Sequence, residues 1–424
     1  MKNYLLGLSP KLLQITKEIG RAADRKKLPA YVVGGIVRDL ILNRRNLDLD
    51  ILVEQDGVLF AQQMATAWNK RLIQYAQFKT ATVEVSLELN IDFATARSEQ
   101  YPYPGALPVV QEGSLEDDLF RRDFTINALA ISINHDSFGN LMDVFGGLKD
   151  IQNKQIRVMH DKSFVDDPTR MLRAVRFEQR LGFRLENHTE ALFQKAVIQK
   201  AFFTLKPPRY FEELKKVLKE QDPLKSIRRL NQFKVLLLLD ELLKMDLKFL
   251  SHLDGNIKKL KKQSYAKEYP NFWFLYFMGL LDGISHLRQR QICQKFQLTK
   301  EETATIMQSR GFDRTLAALG GSKILRSDVY TVLGGLTESS VLYLWARAKS
   351  RLVQKRIEQF LKHDRHVRLK VTGNDLHRLG IPAGKRVGKV LKELLSEKIN
   401  RRMKTKKAEM SFVHRSINGT NRKS

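Results

Sequence analysis

The sequence predicts an α+β protein, with a mixed β-sheet in the first third of the chain and helices in the rest. Short apolar and alternating runs, typical of strands, recur between residues 31 and 95. From residue 164 onward, apolar residues recur instead at helical spacing. The 424 residues are too many for one ordinary core. We expect four parts, over residues 1–150, 151–225, 226–350 and 351–424.

The composition is that of a globular chain, with 43% hydrophobic and 28% charged residues. No apolar run approaches the length needed to span a bilayer, and the apolar start is too short for a signal peptide. One cysteine, Cys293, excludes an internal disulfide and favours a reducing compartment. We therefore expect a cytoplasmic protein without a membrane partner. The sequence carries no signal for an oligomeric state.

The net charge of +28 is strong and unevenly distributed. Residues 351–424 carry 21 Lys and Arg against 6 Asp and Glu, more than half of the excess in about a sixth of the length. Such asymmetry favours contact with a polyanion, with the backbone of a nucleic acid as the usual case. The alternative is a solvated basic tail, which we expect for residues 418–424.

The segment 31–51 is the one around which the chain is organised. An apolar run that predicts a buried strand stops at Gly34 and Gly35, where backbone can approach a ligand closely. A short helix follows, so the glycines lie at a helix N-terminus that favours anions such as phosphate. Arg38 lies in the first turn of this helix.

A second strand, predicted over residues 47–52, places Asp48 and Asp50 on one face and Leu47 with the other apolar residues on the opposite face. Paired carboxylates beside a phosphate loop can hold divalent cations that bridge triphosphate oxygens. A solvent-exposed strand face is the alternative. If the strand over 90–95 lies alongside, Asp92 supplies a third carboxylate; Glu84 is the second choice.

Two later segments carry further polar groups. A helix predicted through residues 115–130 gives Arg122, Asp123 and Asn127 one polar edge, suited to a ribose and a phosphate or, equally, to an internal ion pair. The helix that starts at residues 166–168 aligns Asp167, Arg170 and Arg173. A capped helix with surface salt bridges is the alternative for that segment.

The remaining elements are predicted from periodicity and from turn residues. Residues 101–108, rich in proline, form a loop that is either a mobile flap or a connector. The other predicted helices cover 10–25, 57–70, 209–219, 224–243, 272–281, a segment that begins after Thr299, and a basic stretch that ends at residue 400; the other predicted strands cover 72–78 and 80–87.

The glycine loop with its acidic pair resembles the nucleotidyltransferases related to DNA polymerase beta. Taken with Arg121-Arg122-Asp123-Phe124-Thr125 and Asp166-Asp167-Pro168-Thr169-Arg170, in this order and spacing, the chain resembles the class II tRNA nucleotidyltransferase and bacterial poly(A) polymerase family. The resemblance covers most of the chain. It implies a polymerase-beta-like head (1–150), then a helical neck (151–225), body (226–350) and tRNA-binding tail (351–424).

The resemblance also implies a reaction and its residues. Asp48 and Asp50 would hold two Mg²⁺ ions for in-line attack of the tRNA 3′-hydroxyl on the α-phosphorus of CTP or ATP. Asp92, from the strand pattern described above, is our candidate for a further catalytic carboxylate. The partners would be the 3′ end and acceptor arm of tRNA. The residues implied in nucleotide binding are Gly34, Gly35, Arg38, Arg122, Asp123, Asn127, Asp167, Arg170, Arg173 and Arg176.

In that family a Glu-Asp-x-x-Arg motif selects the base, and Asp167 and Arg170 match its second and last members. A carboxylate accepts from the exocyclic amine that C and A share, and a guanidinium donates to the adjacent ring nitrogen. Asp166 stands where the family usually has Glu, which resembles a subset that includes enzymes adding only the terminal A. We therefore expect a tRNA nucleotidyltransferase, and the sequence does not choose between addition of CCA, of CC only and of A only. Poly(A) synthesis and noncatalytic RNA binding are the alternatives.

Overall fold

The structure is a computed structural model that describes residues 2–87, 89–401 and 403–420. The chain forms two compact units, Met1–Leu238 and Leu239–Ser424. The boundary between them falls within the segment 226–350. Among the described residues, no helix combines the length and the apolar character that a membrane span requires.

A mixed β-sheet forms the centre of the first unit, as the sequence predicts. Its strand order is β3-β4-β5-β2-β1-β8-β9, in which β2 and β5 run parallel and the other neighbours run antiparallel. Two small sheets, β6 with β7 and β10 with β11, flank it. The strands are β1 (Ala30–Val33), β2 (Leu49–Val53), β3 (Arg71–Tyr75), β4 (Thr80–Ser86), β5 (Leu89–Thr95), β6 (Arg97–Gln100), β7 (Val109–Glu112), β8 (Ala130–Ser132), β9 (Leu141–Met142), β10 (Gln155–Ile156) and β11 (Arg184–Leu185).

Helices cover the sheet and continue beyond it in the first unit. The first begins as its sequence predicts, because Ser9 caps the backbone N–H of Leu12 and Pro10 occupies the first helical position. Short 3₁₀ turns occur at Tyr4–Gly7, Ala76–Phe78, Thr125–Asn127, His135–Ser137, Ala201–Thr204 and Val235–Leu238. The α-helices are α1 (Pro10–Arg25), α2 (Gly35–Ile41), α3 (Gly57–Trp68), α4 (Leu115–Phe120), α5 (Gly147–Gln152), α6 (Ser163–Asp166), α7 (Thr169–Leu181), α8 (Asn187–Ile198), α9 (Pro207–Leu218) and α10 (Pro223–Gln232).

The parallel pairing of β2 with β5 positions the acidic residues. Leu49 and Ile51 of β2 are buried, while Asp50 between them pairs directly with Asp92 of β5. The strand begins at Leu49 rather than at Leu47, which is 61% exposed, so the prediction that the alternating strand includes Leu47 and Asp48 is wrong. Asp48 instead precedes the strand, where its backbone N–H donates to the side chain of Asn46.

The helix predicted through residues 115–130 is wrong beyond Phe120. The Asp123 carboxylate accepts from the backbone N–H of Phe124, and Phe124 itself is extended. A side chain that bonds its own backbone competes with helix formation. The chain then makes a 3₁₀ turn at Thr125–Asn127 and enters β8, which pairs with β1.

Two other predicted elements are shorter in the structure. The helix predicted over 224–243 ends at Gln232, and Lys234 adopts a left-handed conformation with φ +60° before a 3₁₀ turn. The strand predicted over 72–78 ends at Tyr75, because a 3₁₀ turn leads to Lys79 at φ +49°. Left-handed residues end regular elements, and neither lysine signals this in the sequence.

The described part of the second unit is helical, with no strand. Trp273 and Trp345 are buried, as predicted, and Thr299 forms the predicted capping box with Glu302. Helix α21 continues to Thr420, and residues 421–424 lie outside the described residues. The 3₁₀ turns are Ser264–Ala266, Ser309–Gly311 and Asp364–His366; the helices are α11 (Leu247–Leu260), α12 (Phe272–Leu280), α13 (His286–Lys295), α14 (Lys300–Gln308), α15 (Phe312–Gly320), α16 (Arg326–Leu333), α17 (Glu338–Arg347), α18 (Arg351–Lys362), α19 (Gly373–Arg378), α20 (Lys385–Arg401) and α21 (Lys406–Thr420).

A buried carboxylate fastens the last helices around a small apolar core that includes Leu376, Leu394 and Val413. Glu409 of α21 is fully buried, accepts from the backbone N–H groups at positions 370 and 371, and pairs with Lys398 of α20. Removal of one member of a buried pair leaves the other charge uncompensated.

We therefore expect Glu409→Ala to destabilise the packing of α20 on α21 by about 3 kcal/mol. Hydrogen exchange of the α20 amides would report this as faster exchange. Glu393, an exposed residue of α20, provides the control: Glu393→Ala should leave the exchange of the α20 amides unchanged. Equal protection in both variants would contradict a stabilising role for Glu409.

Candidate active site

All of the site residues predicted from the sequence line one cleft in the first unit. The cleft has a volume of about 760 Å³. Strands, turns and helices that are far apart in the chain meet there. The predicted residues on its wall are Gly34, Gly35, Arg38, Asp48, Asp50, Asp92, Arg122, Asp123, Asn127, Asp167, Arg170, Arg173 and Arg176.

The glycine turn between β1 and α2 forms one edge of the cleft. Gly34 has φ +77°, a conformation that favours glycine, and precedes the first residue of α2. A Cβ at Gly34 would lie 2.7 Å from Nη1 of Arg122 and 3.7 Å from Oδ2 of Asp50. The backbone conformation therefore favours glycine, and a side chain here would also displace the Arg122 guanidinium. Without a side chain, Gly34 lets this guanidinium and the Asp50 carboxylate approach the same backbone.

The carboxylates lie close enough to repel one another. Burial, and then the negative charges of Asp92 and Asp48, raise the pKa of Asp50 from 3.8 to about 6, although Arg122 partly offsets this. Thr82 on the neighbouring strand β4 donates to Asp92 at 2.5 Å, which fixes that carboxylate. Glu84, the second choice for a third carboxylate, pairs instead with Arg71 at the outer edge of the sheet.

These carboxylates suit a cation that is shared with a substrate. Among the described residues, no group of three or more Asp, Glu, His or Cys side chains could hold a metal ion by itself. Magnesium in phosphoryl-transfer sites is commonly held by one or two carboxylates, with water and substrate phosphates as its remaining ligands. Burial and the neighbouring carboxylates raise the pKa of Asp50, and a divalent cation bound here would favour its charged form.

Asp123 lies on the side of the cleft that faces α7, where it contacts Arg173 of that helix. It accepts from Nδ2 of Asn127 and from Nε of Arg173, at 2.9 and 2.8 Å. Burial opposes ionisation of Asp123, but the Arg173 guanidinium and these hydrogen bonds hold its pKa below the ordinary value. Arg38 donates to Asn127 and to Asp39, so its guanidinium is largely occupied within the protein.

The base-selecting candidates lie where α6 passes into α7. Oδ1 of Asp167 accepts from Thr169 and from Nη2 of Arg209, at 2.7 and 3.1 Å for the two side chains. Arg170 donates to Ser163 and to the backbone carbonyl of Arg121. Asp167 lies just before α7 in extended backbone, so the predicted helical alignment of the two residues is wrong, although both line the cleft.

Several residues of the site were not predicted from the sequence. Arg121 and Glu99 line the cleft, as does Tyr101, whose ring lies 6.0 Å from the Arg170 guanidinium. Arg209 of α9 joins Asp167 to the carbonyl of Gly105 in the proline-rich loop. Arg121 could have been predicted from the sequence, because it adjoins Arg122. Arg209 could not, because its approach to Asp167 depends on how the chain folds.

The sheet, the glycine turn and the acidic cleft are together those of a nucleotidyltransferase head domain. Residues 30–157 match the family model described as the poly A polymerase head domain. This match includes the glycine turn, the acidic strands and the segment with Arg122.

Comparison with named proteins extends the similarity beyond the head. The chain is 36% identical to the A-adding tRNA nucleotidyltransferase of Geobacter sulfurreducens, covering 94% of this chain and 46% of that protein. It is 31% identical to the A-adding enzyme of Halalkalibacterium halodurans, covering 87% of this chain and 84% of that protein. The chain spans about half the length of the Geobacter relative.

A solved structure supports the same relationship. The Thermotoga maritima CCA-adding enzyme, complexed with tRNA_CCA, is 31% identical with a TM-score of 0.77, covering 98% of each chain. The chain therefore belongs to the class II tRNA nucleotidyltransferase and poly(A) polymerase family. Enzymes of this kind use divalent metal ions, which agrees with the acidic cleft.

The raised pKa of Asp50 predicts a pH-dependent stability without metal. The folded protein holds a proton that the unfolded chain has released between pH 4 and pH 6, so the free energy of unfolding falls as pH rises through that window. We expect Asp50→Asn to remove this fall and to stabilise the protein at pH 7.5 by about 2 kcal/mol.

Urea unfolding from pH 4.5 to 7.5, with EDTA present, would measure the effect. The exposed Glu116→Gln should behave as wild type. Asp92→Asn should move the midpoint of the fall to lower pH, because one repelling charge is removed. Parallel stability curves for wild type and Asp50→Asn would disprove the unfavourable environment of this carboxylate.

Proposed function

We propose that this chain transfers nucleotides from CTP or ATP to the 3′ end of tRNA without a nucleic-acid template. The observation that carries the proposal is the meeting in one cleft of an acidic cluster, a glycine turn, an arginine beside that turn, and an Asp and an Arg at the start of α7. An acidic cluster and an arginine beside it can engage a triphosphate, and the last pair can select a base.

Asp48 and Asp50 would hold divalent cations, for which we propose Mg²⁺. When bound, these ions would lower the pKa of the RNA 3′-hydroxyl and neutralise charge on the triphosphate and leaving pyrophosphate. Asp92, fixed by Thr82, raises the negative potential at Asp50 and so strengthens the preference for a cation. A protein nucleophile is not required for in-line displacement.

The arginine-rich side of the cleft would orient the nucleotide. Arg122, beside Gly34, faces the site where the triphosphate meets the carboxylates. Asp123, ionised and held by Arg173, presents a fixed acceptor for a ribose hydroxyl. Arg38, on the cleft wall, donates to Asn127 and so holds its side chain in place, and Arg176 adds positive charge along α7. These contacts position the reactants, which is the main protein contribution to nucleotidyl transfer.

Asp167 and Arg170 would select C and A over U and G. Oδ1 of Asp167 is engaged by Thr169 and Arg209, which orients its other oxygen as an acceptor for the exocyclic amine of the base. Arg170, held by Ser163 and by the carbonyl of Arg121, would donate to the neighbouring ring nitrogen. U and G present the opposite donor and acceptor pattern at these positions.

Within the class, we propose addition of the terminal A to tRNA that already ends in CC. The A-adding names of the Geobacter and Halalkalibacterium relatives favour this, as does Asp166 in place of the family's usual Glu. Full CCA addition is the second candidate, favoured by the similarity to the Thermotoga CCA-adding enzyme over 98% of the chain. Neither poly(A) synthesis nor noncatalytic RNA binding is supported by these names.

We also propose roles for the remaining parts. The neck (151–225) would carry base selection, and the tail (351–424) would bind the tRNA backbone through its 21 basic residues. The body (226–350) is the helical segment between them. We propose a cytoplasmic site of action, which the single cysteine favours.

The direct test is incorporation of labelled nucleotides into three tRNAs, which end before CCA, after C and after CC. With Mg²⁺ present, we expect extension of the CC-ended tRNA by ATP. Extension of all three tRNAs would indicate full CCA addition, and long A tracts on unstructured RNA would indicate a poly(A) polymerase. If none of the substrates is extended, the proposed function is wrong.

Asp167→Ala should relax the choice of nucleotide while leaving tRNA binding nearly unchanged, because base-edge contacts specify whereas backbone contacts supply affinity. We expect the preference for ATP over GTP and UTP, as the ratio of kcat/KM values, to fall about tenfold or more. Asp161→Ala, an exposed carboxylate in the same segment, is the control. Unchanged selectivity in Asp167→Ala would exclude this residue from base selection.

A further inference from the structure

A buried carboxylate outside the predicted site residues holds two adjacent arginines at the edge of the cleft. Asp118 of α4 is fully buried. One of its oxygens accepts from Nε and Nη2 of Arg121, at 2.9 and 2.6 Å. The other accepts from Nε and Nη2 of Arg122, at 3.2 and 2.7 Å. Each guanidinium is therefore held along one edge by one carboxylate oxygen, which fixes its plane.

Asp118 holds Arg122 so that one end of its guanidinium faces the glycine turn. Because Nε and Nη2 are occupied, Nη1 is the end of the guanidinium that faces the glycine turn. Nη1 donates weakly to the carbonyl of Asn127, at 3.4 Å, and lies where a Cβ on Gly34 would meet it. The Arg122 charge also acts on Asp50. Nη1 of Arg122, which does not bond Asp118, therefore points to the space between the glycine turn and the carboxylates, where phosphates would lie.

A second carboxylate braces the other arginine. Glu99 accepts from Nη1 of Arg121, from Arg97 and from the Tyr101 hydroxyl, each at 3.1 Å. Three guanidiniums and two carboxylates leave this cluster with one net positive charge. Burial opposes ionisation of Asp118, but Arg122 and Arg121 together hold its pKa below the ordinary value, so it stays charged at neutral pH.

We propose that Asp118 is a positioning residue for nucleotide binding, which acts by holding Arg122 with Nη1 directed at the triphosphate. The proposal rests on the proposed function, since it assigns a residue to the same cleft. Asp118 does not line the cleft. Its effect therefore passes through Arg122, whose flexible side chain would otherwise sample other rotamers and lose entropy on binding phosphate.

The chain offers a matched control for this proposal. Asp117 is the neighbour of Asp118 on α4, but it is exposed and caps the helix through Ser114. Asp118→Asn and Asp117→Asn remove the same charge from the same helical turn. Asp118→Asn retains the shape of the side chain but loses one acceptor oxygen, so one of the two arginines is no longer held.

The experiment measures KM and kcat for ATP on a CC-ended tRNA, together with calorimetric binding of α,β-methylene-ATP. We expect Asp118→Asn to weaken nucleotide binding and to raise the KM for ATP about tenfold, the worth of about one charge-assisted hydrogen bond. The KM for tRNA should stay within about twofold of wild type, since a defect confined to the nucleotide leaves RNA contacts intact. Asp117→Asn should match wild type in both.

A double-substitution cycle separates positioning from general loss of stability. If Asp118 acts through Arg122, then Asp118→Asn should add no further loss of nucleotide affinity in an Arg122→Ala background. A purely structural role predicts the same additional loss in both backgrounds. Wild-type affinity in Asp118→Asn, or a fully additive loss in the double variant, would overturn the proposal.

Arg122→Lys provides a second variant if Asp118→Asn does not fold. Lysine keeps the charge but cannot make the fork on Asp118, so its ammonium is not directed in the same way. We expect about tenfold weaker binding of α,β-methylene-ATP, and wild-type affinity would overturn the proposal. An inactive wild-type enzyme that still showed this pattern of nucleotide binding would refute the proposed function and leave the role of Asp118 intact.

Discussion

The parallel pairing of β2 with β5 is the constraint on which the rest of the site depends. It places Asp50 directly beside Asp92, with Asp48 at the entry to the strand, and it buries the apolar residues on the opposite face. Burial, and then the charges of Asp92 and Asp48, make a charged Asp50 unfavourable in the free protein and raise its pKa to about 6. The fold therefore maintains an electrostatic cost that a bound cation and its triphosphate would relieve.

The arginines of the cleft are held in place by carboxylates other than the acidic cluster. Asp118 holds Arg122, and Asp123 is held by Arg173, so ion pairs fix the groups proposed to meet the nucleotide. Arg170 donates to the carbonyl of Arg121, so one backbone segment connects the residues proposed to select the base with those proposed to meet the phosphates. Such preorganisation reduces the entropy lost when the nucleotide binds.

The sequence predicted the sheet, the helices that follow it and the main candidate residues, because strand alternation, glycine turns and helix caps are local signals. It failed where distant contacts decide the backbone. Phe124 is extended because its backbone N–H donates to the Asp123 carboxylate and because β8 pairs with β1, and a helical pattern in the sequence shows neither contact. Asp118 lay at helical spacing from both arginines, yet only its complete burial distinguishes it from an ordinary surface ion pair. The approach of Arg209 to Asp167 depends on how α9 packs.

The central claim is that Asp48 and Asp50 bind divalent cations for nucleotidyl transfer. Electron paramagnetic resonance of Mn²⁺, titrated with ATP present, measures this most directly. We expect the double variant Asp48→Asn/Asp50→Asn to bind Mn²⁺ more than about tenfold more weakly than wild type. Glu84→Gln, on the same sheet but paired with Arg71, should bind as wild type does. Undiminished Mn²⁺ affinity in the double aspartate variant would contradict the account.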